Sequence, residues 1–347
     1  NTHWLNGSNK VVAYDLPSLV SPTLKWERIQ TLDIGGDFGF FNNELNISFD
    51  WYQRTTKDML APGQTMPDVL GAGAPKINAG TLRTRGWELS IDWRHHFNEV
   101  NVYANASIGD FKTVITKWDN DSQLLNENYS GKVYGDIWGF ETDRYFTKDD
   151  FNADGSYKEG IASQKKLEQD GFVYGPGDIK FKDLNNDKEI NGGEGTVKDH
   201  GDLKVIGNTT PRYQYGFRLG GEWKGIDIDM FFQGVGKCDA WTQSAFVMPM
   251  MRGADAIYAN QANYWTDENP DPNADIPRMW PGNAGKGTVS VLDLGNHNFY
   301  PQSKYLVNMA YLRFKNLTIG YTLPKDWTRK VYMDKVRVYF SANNICE

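Results

Sequence analysis

Residues 86–94, Gly-Trp-Glu-Leu-Ser-Ile-Asp-Trp-Arg, alternate apolar and polar side chains without interruption. Successive side chains of a β-strand point to opposite faces of its sheet. The stretch therefore predicts a strand with Trp87, Leu89, Ile91 and Trp93 on one face and polar side chains on the other. The same alternation returns at 226–233 and 336–341, which predicts a β chain in which several strands carry one apolar and one polar face.

Two architectures satisfy this alternation. A soluble β-sandwich buries the apolar face between its sheets, whereas an outer-membrane barrel turns that face to lipid and lines its lumen with polar groups. Periodicity alone does not choose between them. The choice depends on strand length, turn asymmetry and composition.

Composition restricts the class of protein. The chain has 347 residues, of which 39% are hydrophobic, and its mean hydropathy is -0.60. No stretch reaches the roughly 18 uncharged apolar residues of a membrane-spanning helix, but a spanning strand needs only about 9 to 11 residues. A net charge of -7 predicts no nucleic-acid partner, because phosphates require a concentrated basic face. Cys238 and Cys346 are too few for a disulfide framework and lack zinc-ligand spacing.

The predicted connections between strands are strongly asymmetric. Strands are predicted in pairs joined by tight turns, as at 41–43, where Asn tolerates left-handed backbone angles. Long connections rich in Gly, Asn, Asp and Pro are expected near 57–79, 113–211 and 236–301. Short turns at one end and long loops at the other are typical of outer-membrane barrels. The span from Trp87 to Trp93 is about 15 Å after tilting, which is less than the apolar band of about 25 Å.

Four stretches of the chain carry a family resemblance. They are 24–43 with the following Asp50-Trp51-Tyr52, then 177–185 leading into 206–216, then 264–270 (Tyr-Trp-Thr-Asp-Glu-Asn-Pro), and finally 311–324, which ends Gly-Tyr-Thr-Leu-Pro. In this order they resemble the SusC/RagA family of TonB-dependent outer-membrane transporters. The resemblance covers most of the chain and assigns residues 1–347 to the C-terminal portion of the family's barrel.

The resemblance implies an all-β fold, an antiparallel transmembrane β-barrel. The chain would form part of a barrel of about 22 strands, with a plug domain and an energy-coupling box outside the sequence given. It implies a multi-pass protein in the outer membrane of a Gram-negative bacterium, surrounded by lipid, that imports oligosaccharides or peptides. Its implied partners are TonB, which acts through the N-terminal region, and a SusD-like surface lipoprotein that closes over the barrel.

Residues 183–194 match a calcium-binding loop. The expected ligands are the side chains of Asp183, Asn185, Asp187 and Glu194 and the backbone carbonyl of Glu189, because hard oxygens at this spacing suit Ca2+. Position 6 of such a loop normally holds Gly, and here it holds Lys188. A solvated turn without metal is the open alternative, and a bound calcium would act as a structural clip rather than a sensor.

Aromatic residues of the connection near 236–301 are candidate substrate contacts. Trp241, Tyr264, Trp265 and Trp280 could stack on sugar rings or on apolar side chains of peptides. The alternative is that these rings pack a small core of the loop itself.

No catalytic motif stands out. Residues 280–288 resemble a phosphate-binding loop only superficially, because the first Gly is absent and Gly287 replaces the required Ser or Thr. The chain is therefore predicted not to be an enzyme and to need no catalytic cofactor. A soluble secreted β protein that binds or cleaves carbohydrate is the alternative from another class, and a passive porin or adhesin is a third. Detergent dependence would separate the soluble protein from the other two.

Overall fold

The computed structural model describes residues 3–6, 9–12, 19–62, 74–168, 172–242, 244, 246–248, 257–279 and 297–347. In chain order the strands are β1 (His3–Asn6), β2 (Asn9–Val12), β3 (Arg28–Phe40), β4 (Leu45–Pro62), β5 (Lys76–Phe97), β6 (Val100–Lys117), β7 (Asp136–Phe140), β8 (Thr142–Tyr145), β9 (Ile179–Phe181), β10 (Leu203–Asn208), β11 (Arg212–Trp223), β12 (Ile226–Lys237), β13 (Asp239–Ala240), β14 (Val307–Asn308), β15 (Tyr311–Thr322) and β16 (Arg337–Cys346). Among these described residues, no helix is long and apolar enough to cross a membrane.

Eight long strands form one antiparallel sheet, which we call the wall. Its order is β3-β4-β5-β6-β11-β12-β15-β16, so each wall strand pairs with the next wall strand along the chain. At one end the connections are short: residues 41–44, 98–99 and 224–225 are turns, and 323–336 contains a single-turn helix α1 (Lys325–Thr328). Lys224 and Gly225 have φ values of 50° and 86°, the left-handed conformation that a tight hairpin requires. The long connections lie at the other end, as expected.

The wall carries the predicted alternation across its full width. Along one register row, Ile91 of β5 lies beside Ile47 of β4 and Ala106 of β6, and Ala106 lies beside Phe217 of β11. The row continues through stacked rings, with centroids 4.7 Å apart for Phe217 and Phe232 and 4.4 Å apart for Phe232 and Phe314. In the described part of the chain no second sheet covers this face, and many of its large side chains are exposed. The β-sandwich alternative is therefore wrong.

The apolar face of β5 is taller than the sequence suggested. The outward residues continue past Trp93 through His95 to Phe97, with the Trp93 and His95 rings stacked 6.2 Å apart and Phe97 edge-on to His95 at 4.1 Å. The distance from Trp87 to Phe97 is about 33 Å along the strand, or about 25 Å at a tilt near 40°. That height matches the apolar band of an outer-membrane barrel. Trp87 and Phe97 mark its two edges on this strand.

The connection expected at 57–79 is shorter than predicted. Strand β4 continues to Pro62 and β5 begins at Lys76, and the two strands pair from Met59 to Pro62. The polar residues Lys57 and Asp58 suggested a loop, but the sheet accommodates them in a register shift where Asp58 has a φ of 58°. The side-chain amide of Asn78 donates to the Asp58 carbonyl at 2.6 Å and replaces the lost ladder bond.

The two long connections between wall strands fold together into a second region, which we call the cap. It comprises the described residues of 118–211 and 238–310. Its short strands pair as β7 with β10, β8 with β9 and β13 with β14, and 3-10 turns occur at Lys148–Asp150, Lys165–Leu167 and Ala259–Gln261. The buried hydrophobic cluster of the protein lies in the cap.

Candidate functional site: the inner face of the wall and the loop cap

The inner face of the wall is a hydrogen-bonding surface. Ser90 of β5 lies between Ser48 and Ser107. Asp92, two residues along the same strand and on the same face, accepts a hydrogen bond from the amide of Asn105. Because the opposite face is apolar, this face forms the inside of the curved sheet in a membrane barrel.

Charged groups on the inner face are held in pairs between strands. Arg218 of β11 donates to Asp229 of β12 at 2.6 Å, and the Tyr103 hydroxyl donates to the same carboxylate. Arg337 of β16 contacts Asp227 of β12 at 2.5 Å. These cross-strand pairs fix the rotamers of long side chains on a wet surface, so the inner face presents defined polar groups to whatever occupies the lumen.

The cap has a core built from both long connections. Phe146, Phe172 and Phe181 of the first connection are at most 1% exposed. Trp265 and Phe299 of the second connection are 4% and 5% exposed and belong to the same cluster. Burying aromatic side chains of this size is a main source of stability. The two connections therefore form one packed unit, although the wall strands β11 and β12 lie between them in the sequence.

A buried polar cluster joins the two connections. Asp178 is fully buried and accepts hydrogen bonds from the Gly175 backbone at 2.9 Å and the Asn298 amide at 2.8 Å, and it forms an ion pair with Arg278. The Asn298 side-chain oxygen accepts from the Ile179 backbone at 2.8 Å. Buried backbone groups outside a sheet need such hydrogen-bond partners, and Asn298 supplies the acceptor that a neighbouring strand would otherwise provide for Ile179.

Buried tyrosines add further links across the cap. The Tyr145 hydroxyl donates to the Ala274 carbonyl at 2.7 Å, the Tyr305 hydroxyl to the Asp275 carbonyl at 2.8 Å, and the Tyr174 hydroxyl to the His297 carbonyl at 2.7 Å. Burial raises the pKa of all three phenols, so they remain protonated donors. Nothing in the local sequence marks these polar contacts, because each joins residues far apart in the chain.

The predicted substrate aromatics occupy different environments. Trp265 packs in the cap core against Gly177, whose φ of 87° brings its backbone under the ring. Trp241 is half-buried and packs against the same core, whereas Tyr264 is 37% exposed. Trp280 lies outside the described residues. Of the three described rings, Tyr264 presents the most surface to a ligand, and the burial of Trp265 favours the packing alternative for that residue.

The predicted calcium loop is an ordered turn. Asp183 accepts from the backbones of Asn186 at 2.7 Å and Lys188 at 2.9 Å, and Asp187 accepts from the Glu189 backbone at 2.7 Å. Lys188 adopts a φ of 66°, the conformation that Gly normally supplies at this position, so the substitution does not prevent the turn.

Several of the expected ligand groups of that loop already have protein partners. The Asn185 amide donates to Asp187 at 2.9 Å, the Glu189 carboxylate pairs with Lys166 at 2.7 Å, and the Glu189 carbonyl accepts from Asn191 at 3.0 Å. Within the described ranges, no three His, Cys, Asp or Glu side chains converge on a point that could hold a metal. Calcium binding by Asp183, Asn185, Asp187, Glu189 and Glu194 stays a prediction.

Comparison with known proteins identifies the family. The family model described as "TonB dependent receptor-like, beta-barrel" matches residues 5–345. TonB-dependent receptor P3 of Formosa agariphila is 28% identical over 98% of this chain and 31% of its own length. TonB-dependent receptor SusC of Bacteroides thetaiotaomicron is 24% identical over 94% of this chain and 29% of its own length. The chain thus spans about a third of the relatives that it matches.

Solved structures show the same fold. The RagAB peptide transporter matches 99% of this chain and 34% of its own with a TM-score of 0.66 and 21% identity, and the "open-open" state of the RagAB peptide importer gives the same values. The predicted antiparallel barrel fold and outer-membrane location are confirmed, so the soluble alternative is overturned. The chain belongs to the TonB-dependent receptor-like β-barrel family, whose members are outer-membrane transporters and receptors.

Proposed function

We propose that the intact protein is a TonB-dependent importer that carries oligosaccharides or peptides across the outer membrane together with a SusD-like surface lipoprotein. The residues described here would supply the later part of the barrel wall and a fixed portion of the extracellular mouth. The chemistry is capture and passage of a polar solute, with no bond made or broken.

The observation that carries this proposal is the continuity of a polar inner wall with a packed cap. The wall directs hydrogen-bonding groups such as Ser90 and Arg218 inward, and a solute too large for simple diffusion needs such groups to replace its water. The cap lies at the long-loop end and has its own core, so it holds contact residues in fixed positions. A rigid mouth favours selective binding, because fewer side chains lose freedom when the ligand arrives.

Tyr264 and Trp241 are the proposed substrate contacts among the described residues, and Trp280 remains a proposed contact outside them. Ring faces suit both sugars and apolar peptide side chains, so they support both substrate classes. SusC is the named relative that motivates the lipoprotein partner, and the RagAB title names a peptide as cargo for that protein.

The direct test is uptake by the native host. A strain lacking the gene is compared with the parent for accumulation of fluorescent oligosaccharides and fluorescent peptides, each with and without a protonophore. We expect one substrate class to accumulate only in the parent and only when the proton gradient is intact. Replacing Tyr264 with Ala should reduce uptake, with Tyr134→Ala as the control, because Tyr134 is an exposed cap tyrosine (58%) outside the predicted set.

Two outcomes would contradict the proposal. Uptake that persists in the presence of the protonophore would indicate a passive pore. If the deletion strain accumulated both substrate classes as well as the parent strain does, the import role would be wrong. The lipoprotein partner is tested separately, by isolating the tagged full-length protein from native outer membranes and asking whether a surface lipoprotein encoded beside it co-purifies in stoichiometric amount.

A further inference from the structure

The outward face of the wall changes from apolar to basic just beyond the tryptophan pair at its extracellular edge. Trp87 of β5 lies opposite Trp51 of β4. On its other side Trp87 lies opposite Asp110 of β6, whose carboxylate is paired with Arg212. Two residues further toward the long-loop end, Arg85 lies between Gln53 of β4 and Lys112 of β6. Because register partners lie on the same face of a sheet, both cations point to the lipid side, immediately above the apolar band.

Arg85 and Lys112 form an unfavourable pair as they stand. The Arg85 Nε donates to the Gln53 side-chain oxygen at 2.7 Å, which holds the guanidinium on this face. Lys112 is exposed and lies directly opposite. Like charges directly opposite across strands destabilise a sheet, so the pair costs stability unless an anion lies between them.

Lys112 also lines a recess where the wall meets the cap. The recess has a volume of about 360 Å3, and its charged lining residues are Lys112, Arg212, Lys237 and Asp136. Arg212 is paired with Asp110, and Asp136 accepts a hydrogen bond from the Asn208 amide at 2.8 Å. Within the ranges that the structure describes, no carboxylate lies within 4 Å of the Lys112 or Lys237 ammonium.

The position of this cluster selects the anion. Tryptophan pairs at the edge of an apolar band lie at the level of the lipid headgroups. A cation two residues above Trp87 and on the same outward face therefore lies in the headgroup layer of the outer leaflet. A soluble substrate travelling through the lumen would not meet this face.

We propose that Arg85, Lys112 and Lys237 form a binding site for the phosphorylated headgroup of an outer-leaflet lipid. Arg212, paired with Asp110, lines one side of this site. Arg85 and Lys112 bind one phosphate between β5 and β6, and Lys237 extends the positive surface into the recess. The bound lipid would join wall to cap at the point where the second strand of each hairpin leaves the membrane. The site depends on the barrel lying in the outer membrane and not on what the protein imports.

Binding of bisphosphorylated lipid A to the intact full-length protein in detergent, measured by native mass spectrometry, tests the site. The double variant Arg85→Gln with Lys112→Gln should weaken binding about 10- to 30-fold, the size expected when two cations beside an anionic surface are removed. Arg85→Lys keeps the charge and should stay within about 3-fold of the wild type. Lys325→Gln with Lys330→Gln removes two exposed cations at the short-turn end and should change nothing.

Two ligand arms separate the possible anions. Dephosphorylated lipid A should bind the wild type no better than it binds the double variant, and millimolar inorganic phosphate should not displace lipid A. Wild-type binding should also weaken as salt is raised, since exposed charges are screened, and this arm does not depend on any variant folding. Equal affinity of wild type and double variant, displacement by free phosphate, or salt-independent binding would each overturn the site.

Discussion

The wall and the cap place their phenylalanine side chains in opposite environments: the wall exposes them and the cap buries them. In the wall, Phe38 is 56% exposed and Phe340 is 63% exposed, both on the outward face. In the cap, Phe146 and Phe181 are almost completely buried. The difference follows from the surroundings: the wall meets hydrocarbon, so its apolar groups face out, whereas the cap meets water and must enclose its own.

The two regions also satisfy their backbones differently. Wall strands satisfy their backbones mainly by pairing with neighbouring strands, which is the arrangement that strands within hydrocarbon require. The cap has few paired residues and uses side chains instead: Gln164 accepts from the Phe181 backbone at 2.6 Å and donates to the Ile179 carbonyl at 3.0 Å. Irregular loops of this length stay folded because buried side chains form the hydrogen bonds to the backbone that a neighbouring strand would form in a sheet.

The largest expected effect is in the cap core. Phe146→Ala should destabilise the cap by about 3–5 kcal/mol, because it removes a fully buried ring from a packed cluster. Hydrogen exchange of the intact protein should show faster exchange in β8 and β9 while β5 and β6 remain protected. The control is Tyr134→Ala, which should change stability by less than about 0.5 kcal/mol because Tyr134 is exposed. Equal loss of protection in wall and cap would contradict the separation of the two regions.

The next effect tests which face of the wall meets lipid. Ile91 and Ser90 are adjacent, and they lie on opposite faces near the middle of the apolar band. Ile91→Arg should cost about 2–4 kcal/mol when unfolding is measured in lipid bilayers, since it puts a charge at the hydrocarbon midplane. Ser90→Arg should cost clearly less, because its neighbours Ser48 and Ser107 are small and polar. If the two variants were equally destabilised, the assignment of faces would be wrong.

A smaller effect concerns one buried carboxylate of the cap. Asp150 is paired with Arg144 through two contacts of 2.6 Å. Burial alone would raise its pKa, but hydrogen bonds from Arg144 and Thr147 outweigh that and lower the pKa to about 2. Because the folded pKa lies below the unfolded value of about 3.9, the stabilisation is present above about pH 4 and is lost as pH falls toward 2.

The measurement for Asp150 is the difference in unfolding free energy between wild type and Asp150→Asn. That difference should shrink by roughly 1 kcal/mol between pH 5 and pH 2.5, a value that allows for solvent screening of the pair. A difference that stays constant with pH would show that the ion pair does not set this pKa.

The smallest expected effect comes from removing the predicted calcium ligands of residues 183–194. If calcium binds, Asp183→Ala with Asp187→Ala should abolish a calcium-dependent delay in proteolysis of 183–194, while leaving the rest of the cap and the wall intact. The matched control is Asp154→Ala, which removes an exposed cap carboxylate from a separate turn. Identical cleavage of the wild type with calcium and with chelator would reduce the loop to a turn.

Particular residues show how far sequence reasoning reached in each region. Alternation at Trp87, Leu89 and Ile91 predicted the strand and its two faces, because that pattern depends only on residues close together in the sequence. The asymmetry of the connections and the quoted motifs were needed to choose the barrel over the sandwich. Polar content at Lys57 and Asp58 misplaced the end of β4, because a bulge absorbs them. In the cap, the aromatic character of Trp265 was visible, but its burial was not, since burial depends on Gly177 and on a connection far away in the chain.

Period-two patterning was sufficient to establish the strands, their apolar side and, with the quoted motifs, the family, because these properties depend on side chains a few residues apart. Only the tertiary structure decided that two distant connections share one core, that Asp178, Arg278 and Asn298 join them, and that Arg85 and Lys112 lie side by side above the tryptophans. Those contacts join positions whose local sequences are unrelated, so no pattern within either segment predicts that they meet.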